Sequence, residues 1–397
     1  LRCRTLSFLS PRRFYPGAQW VLTLPFGLRY LAAYDPRLTT AILAAFIAAV
    51  SSWLRRRARK AGIACRTETA AVTVIQRANS ALGLDVHFHT IFVDGVFARA
   101  GGDGGNGNAG RHSPIFHPVP APTDEDVAAI AAAIERKVAR LLRRLGDRLE
   151  TDALADRQPL LAALANASVQ GLTATGPRRG QRALRVGAGR RAAQAWVMGK
   201  RCAESGGFNL HANVRVAAND RAGLEHLCRY IVRPPLATPR LVELADGRLS
   251  LAFKRPWSDG TTAVVFTPHE LIEKLLPLVP RPRCHVVRYH GTFAPAAKLR
   301  PHVVPAASAR AAAPAGTRAG GDGGDGREKH PPGRAGPGRI AWAQLLRRVF
   351  LVDVLVCPRC TGQMEIVAAV TRPDAVRRVL EHLGIPSDPP VMHPARP

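Results

Sequence analysis

Apolar and polar positions alternate most clearly along Leu84-Asp85-Val86-His87-Phe88-His89-Thr90-Ile91-Phe92-Val93-Asp94-Gly95-Val96-Phe97, where β-branched and aromatic residues dominate. The pattern predicts a strand that turns near Asp94-Gly95 into another. A strand has a side-chain period of two, so His87 and His89 share one face, about 7 Å apart along the backbone, with Phe88 packed behind them.

The same reading orders the rest of the chain. Gln19 to Leu24 predicts a first strand, and Asp35-Pro36 supplies a cap and first-turn proline for a long helix through Lys60, stopped by Gly62. Ala70 to Gln76 predicts a second strand. Thr123 caps a strongly amphipathic helix with Asp124, Glu125 and Asp126 at its start and Arg143-Arg144 at its end. Leu210 to Val216 alternates as a strand, and Asn219 can cap a helix that buries Leu224, Leu227 and Ile231 and ends near Arg233, before Pro234-Pro235. Strands over Leu249 to Lys254, Thr261 to Phe266 and Cys284 to Tyr289 follow, with a helix over Pro268 to Leu276. Three stretches lack a core pattern: residues 1–17, a Gly/Asp/Asn/Pro insertion at about 99–122, and an Ala/Gly/Pro/Arg linker at 306–339. An amphipathic segment at 340–351 then opens a C-terminal appendage, 340–397. The expected organisation is one α+β domain over 18–305 with these additions.

Charge changes this picture most. Among 397 residues, 57 are basic and 29 acidic, a formal net charge of +28, which favours a polyanionic partner such as nucleic acid. Arginine supplies most of it, and a GC-rich genome would enrich the same residues. The basic, Gly-interrupted stretch 176–191 is expected as a loop; Arg178, Arg179, Arg182, Arg190 and Arg191 in it, with Arg55 to Arg59, are candidate phosphate contacts, and Trp257 and Tyr289 are candidate stacking surfaces for unpaired bases. Seven cysteines without a secreted framework point to a reducing compartment. The apolar run Ala41 to Val50, extended through Trp53 and Leu54, reads as a buried helix too short to span a bilayer.

Two imidazoles as close as His87 and His89 can chelate one divalent metal; a pair of partly buried sheet histidines is the competing reading. Gly101 to Gly107 has no helix after it and does not make a phosphate-cradling loop. Cys357-Pro358-Arg359-Cys360 is half of a structural zinc site, for which His382 and His393 are available partners without a diagnostic spacing.

Three blocks carry a family resemblance. Ser80 to Thr90 with Val93 to Phe97 resembles the His-hydrophobe-His motif of rolling-circle transposases in the HUH endonuclease class, and more narrowly the IS-ninety-one type of insertion sequence. Leu224-Glu225-His226-Leu227-Cys228-Arg229-Tyr230-Ile231-Val232-Arg233-Pro234-Pro235-Leu236 is the second block. Lys254-Arg255-Pro256-Trp257-Ser258-Asp259-Gly260-Thr261-Thr262 is the third, with Arg288-Tyr289-His290-Gly291 beyond it. The resemblance runs from about Gln19 to Pro305.

What it implies is a ferredoxin-like antiparallel sheet with helices packed on it, carrying a nuclease that nicks single-stranded DNA at the ends of an element and transfers the strand to target DNA. His87 and His89 would hold Mg²⁺ or Mn²⁺, and Tyr230 would be the nucleophile that forms a 5′-phosphotyrosine. Arg229, Arg233, Lys254 and Arg255 join the candidate DNA contacts. Many relatives carry two tyrosines four residues apart, where this chain has His226 and Tyr230. His226, four residues before Tyr230, shares a helix face with it, and His226 and its neighbour Glu225 are candidates for a third metal ligand. Relatives also place a cysteine-rich zinc module before the first strand, where this chain has only Cys3, so a truncated copy that binds DNA without cutting it is the alternative. Cys357 and Cys360 would hold Zn²⁺ if two further ligands complete the site. The expected location is the cytoplasm of a bacterial cell, with no membrane partner.

Overall fold

The alternation in the His87 stretch becomes strand pairing because one side of every long strand is apolar and must find cover. The computed structural model describes residues 15–98, 114–146, 152–187, 199–236, 238–282, 284–304, 355–357, 360–364 and 372–384. Residues 1–14, Gly101 to Gly107, Arg190, Arg191, the linker at 306–339, the segment 340–351 and His393 lie outside them. The chain divides into two compact units, Phe8–Ala306 with Pro390–Pro397, and Leu1–Ser7 with Ala307–Pro389.

In the larger unit the elements run β1 (Gly17–Thr23), α1 (Phe26–Tyr34), α2 (Pro36–Lys60), β2 (Thr67–Glu68), β3 (Ala70–Ala78), β4 (Leu84–Val93), β5 (Gly95–Ala98) and β6 (Ile115–Pro118). They continue through α3 (Asp124–Leu145), α4 (Ala153–Arg157), α5 (Pro159–Gln170), β7 (Leu184–Val186), β8 (Cys202–Ser205), β9 (Phe208–Val216) and α6 (Arg221–Ile231). Last come β10 (Leu241–Glu243), β11 (Leu249–Ala252), β12 (Ala263–Phe266), α7 (Pro268–Leu275), β13 (Val287–Gly291) and α8 (Arg300–Val303).

Six strands pair antiparallel in the order β13-β3-β4-β1-β9-β8. Within them β1, β3, β4 and β9, with helices between β1 and β3 and between β4 and β9, form a β-α-β-β-α-β unit ordered β3-β4-β1-β9, the ferredoxin-like arrangement. The expected α+β class is therefore the observed one. Smaller sheets, β10-β11-β12-β7 and β2-β5-β6, complete the unit.

One face of the large sheet is the core. Trp20, Leu22, Phe88, Phe92 and Leu210 are buried there, and α2 lays Phe46 and Trp53 on them: Phe46 stacks with Phe88 at 6.5 Å between centroids, and Trp53 lies 6.0 Å from Trp20. Asp35 caps α2 by accepting from the Arg37 and Leu38 amides, and the Thr123 capping box starts α3. At 25 residues α2 outruns the apolar stretch read from sequence and is long and apolar enough to cross a membrane by length and composition alone. Here its Leu38, Ile42, Phe46, Val50 and Leu54 are buried in the core.

Local boundaries depart from expectation in places. Asp220, not Asn219, caps α6, because its carboxylate reaches the Gly223 amide at 2.8 Å. That helix ends at Ile231 with Val232 as its C-cap, close to the end expected near Arg233 and before Pro234-Pro235. The stretch 176–191, expected as a loop, contains β7, which pairs with β12. The last long strand is Val287–Gly291 instead of Cys284 to Tyr289, since its register on β3 runs to Ala70. Gly291 closes it with φ +56°, where a Cβ would collide with the Thr69 carbonyl.

In the smaller unit, Val356 and Gln363 form an antiparallel bridge around the Cys357 turn, and Pro373–His382 is a helix.

Candidate functional site

The face of the large sheet opposite the core carries the candidate chemistry. β4 presents His87 and His89 there, with ring centroids 5.0 Å apart. His87 Nδ1 donates to the Asp85 carbonyl at 2.8 Å, which leaves the Nε2 lone pair of a neutral ring for a ligand. His89 is buried, with Nδ1 2.7 Å from the Gln19 carboxamide on β1. The facing atom is Gln19 Nε2, which donates to Nδ1 and leaves the proton of the neutral ring on Nε2; with the carboxamide turned over, Oε1 would accept from Nδ1–H and free Nε2 for a ligand. Burial, with the neighbouring His87 charge adding to it, pushes the His89 pKa down to about 3, so this ring is neutral near pH 7, the form that binds metal.

Helix α6 brings Tyr230 to this pair. Its ring centroid lies 6.0 Å from that of His89, nearly perpendicular at 79°, and the residue is 43% exposed, open to a substrate. Gln76 on β3, opposite His87 in register, donates Nε2–H to the Ile231 carbonyl at 2.8 Å and so ties the end of α6 to the sheet. The Arg233 guanidinium sits over the Tyr230 ring at 5.6 Å.

The surrounding ligand candidates arrange differently. Glu225 Oε1 pairs with Arg229 Nη2 at 2.6 Å, and His226 is exposed. Among the described residues no group of three His, Cys, Asp or Glu gathers as a metal site. What stands beside the two imidazoles are the carboxamides of Gln19 and Gln76, which sequence reading did not single out. In the described contacts both carboxamides present their Nε2 atoms, Gln19 to His89 and Gln76 to the Ile231 carbonyl, so the two imidazoles are the metal-ligating side chains gathered here. A glutamine buried mid-strand, as Gln19 is in Ala-Gln-Trp-Val, was the available signal.

The basic candidates separate into groups. Arg178 turns inward: Nη1 meets Glu270 Oε1 at 3.1 Å and Nη2 donates to the Arg182 carbonyl at 2.8 Å. Arg179 lies in the same turn, while Arg182, Lys254 and Arg255 are exposed. Arg56 and Arg59 are exposed at the end of α2, the helix that covers the core face, and Arg57 there pairs with Asp126 at 2.5 Å. Tyr289 packs against the cluster of Ala70, Val93 and Phe97, whereas Trp257 stacks on Phe253 at 4.7 Å. Cys357 and Cys360 sit on one tight turn, in which the Thr361 amide donates to the Cys357 carbonyl; His382 ends the helix of the smaller unit.

A family model described as "Putative transposase" matches residues 70–300, more than half of the chain. The chain belongs to this transposase family. The match spans β3 and β4 with both histidines, α6 with Tyr230, and the block from Lys254 to β13. Neither the curated proteins nor the solved structures yield a match. As a member of the family, the transposase acts on DNA, and its charge suits that substrate.

Proposed function

We propose that this transposase nicks single-stranded DNA at element ends through Tyr230 and passes the strand to a target, in the manner of the single-tyrosine, IS-ninety-one-type rolling-circle enzymes it resembles. The observation that carries the reading is the placement of the exposed Tyr230 ring against the His87/His89 pair on the sheet face opposite the core. His87 and His89 would hold Mg²⁺ or Mn²⁺, which when bound neutralises charge on the scissile phosphate.

The chain's own residues supply the rest. Tyr230 Oη attacks the phosphorus and gives its proton to solvent, and the bond to the 3′ oxygen breaks as that oxygen takes a proton from solvent, giving a 5′-phosphotyrosine and a free 3′ hydroxyl. The new ester conserves the energy of the broken one, so rejoining needs no nucleotide cofactor. Gln76 holds the end of α6 on the sheet and so supports the Tyr230 position, and Arg233, over the Tyr230 ring, would pair with the phosphate oxygens. Lys254 and Arg255 extend the basic path for the strand.

The test is a covalent adduct. Purified protein, single-stranded DNA bearing the element ends and Mn²⁺ should give a protein–DNA band on a denaturing gel. Tyr230→Phe should abolish the band with DNA affinity within about twofold, and His87→Ala should lower the rate at least about 100-fold. No band from the native chain, with salt-sensitive binding intact, would favour instead a transposase that binds DNA without cutting it.

A further inference from the structure

Away from the histidine face, a cleft of about 200 Å³ opens where the β3–β4 turn, the end of α5 and the small sheet meet, lined by Asn79, Gln170, Arg182, Arg185, Trp257 and Lys274 among others. None of the described residues lining it is acidic. Two flat groups on its wall pack together, the Arg185 guanidinium over the Trp257 ring at 5.1 Å, and Phe253, outside the lining, backs Trp257 at 4.7 Å and 23°. The stack is held in place from outside. Trp257 Nε1–H donates to Ser80 Oγ at 3.0 Å, and Arg185 Nη1 pairs with Asp259 at 2.9 Å.

The turn beneath is just as fixed. Asn79 Oδ1 accepts from the Ala81 and Gly83 amides, and buried Leu82 between them takes a left-handed φ of +60°. Asn79 and Gln170 bring carboxamides to the lining: with Oδ1 occupied by the turn, Asn79 has its Nδ2 donors left for a base edge, and Gln170 carries both donor and acceptor. The cleft is also near the candidate chemistry: Gly83 precedes His87 by four residues of extended chain, about 13 Å.

A flat stack, basic side chains and amide groups around a space of this size match one unpaired nucleotide. We propose that the cleft holds a nucleobase of the single strand a short distance from the cleavage point, the base continuing the Phe253–Trp257–Arg185 stack and Arg182 meeting its flanking phosphate. The anchored nucleotide fixes which phosphate reaches Tyr230. This inference rests on the single-strand reading above for its substrate but on different residues.

The probe is a thymidine 15-mer carrying 5-iododeoxyuridine at one position per oligonucleotide, irradiated with the full chain and mapped by peptide mass. The expected result is a crosslink on Trp257 or its neighbours 253–259 from a narrow set of positions. Affinity should fall about tenfold in Trp257→Ala and recover in Trp257→Phe, which keeps a stacking ring. Arg182→Glu, on an exposed side chain, should weaken binding and flatten its salt dependence. Crosslinks elsewhere, or Trp257→Ala and Arg182→Glu both binding as the native chain does, would overturn the proposal. Loss of the Tyr230 adduct with the Trp257 crosslink retained would sink the nicking reading and leave the nucleotide cleft standing; the opposite pattern would do the reverse.

Discussion

His290 shows how a single side chain links the fold to pH. Its Nε2 lies 3.0 Å from Thr73 Oγ1, which in turn lies 2.8 Å from Thr90 Oγ1, both threonines being buried. Burial, with the positive Arg288 nearby, pushes its pKa from 6.5 down to about 4. The unfolded chain therefore binds a proton near pH 6.5 that the native state refuses until about pH 4, so stability falls as pH drops through that window, by up to about 1.4 kcal/mol per pH unit. Urea titrations between these limits should show His290→Leu with a flatter pH dependence than the native chain; an unchanged slope would assign it to other groups. At this scale the residue types of the site were legible. His87 and His89 announced themselves by strand parity, and Tyr230 by the motif around it. Gln19 and Gln76 did not, because a carboxamide has no chemistry of its own until the fold sets it beside a histidine or a helix end.

Among the elements, α7 does more than fill space. Thr267 and Glu270 form its capping box, and Glu270 also receives Arg178. Glu273, buried one turn further on, accepts from the Ala174 amide, the Thr175 amide at 3.1 Å and the Thr175 hydroxyl at 2.8 Å. Buried carboxylates on one helix thus clasp the turn that carries Arg182. Glu273→Ala leaves the Ala174 and Thr175 amides without an acceptor, while the Thr175 hydroxyl keeps His269 Nε2 at 2.7 Å, and should cost about 3 kcal/mol in equilibrium unfolding, with Glu273→Gln losing less. A loss below about 0.5 kcal/mol in both would show the clasp to be dispensable. Strands of seven or more residues and the helices capped by Asp35 and Thr123 were readable in advance, since periodicity and caps are local. Of the three- and four-residue strands in the small sheet, β11 and β12 fall inside the strands expected at Leu249 to Lys254 and Thr261 to Phe266, whereas β7 was expected as loop and β10 went unpredicted. Segments as short as β7 and β10 carry too few alternations to stand out from a loop and become strands by pairing.

For the whole molecule, the net charge of +28 makes ionic strength the main control on DNA affinity. With single-stranded DNA each neutralised phosphate contributes roughly −0.7 to the slope of log affinity against log salt, and a basic path of several contacts should give a slope steeper than about −3. Replacing exposed Lys254 and Arg255 together by alanine should reduce that slope by about 1.4 in fluorescence anisotropy; no change would take them off the strand's path. The sequence by itself determined the α+β class, the long strands, the major helices and which side chains, His87, His89 and Tyr230, are the candidates for chemistry. Each follows from local pattern and residue chemistry. Only the tertiary structure decided that α6 lies across the face bearing His87 and His89, that Arg178 turns inward to Glu270, and that Trp257 meets the β3–β4 turn. Those outcomes depend on strand order and register between segments far apart in the chain, set by which faces can be buried together and not by any stretch read alone.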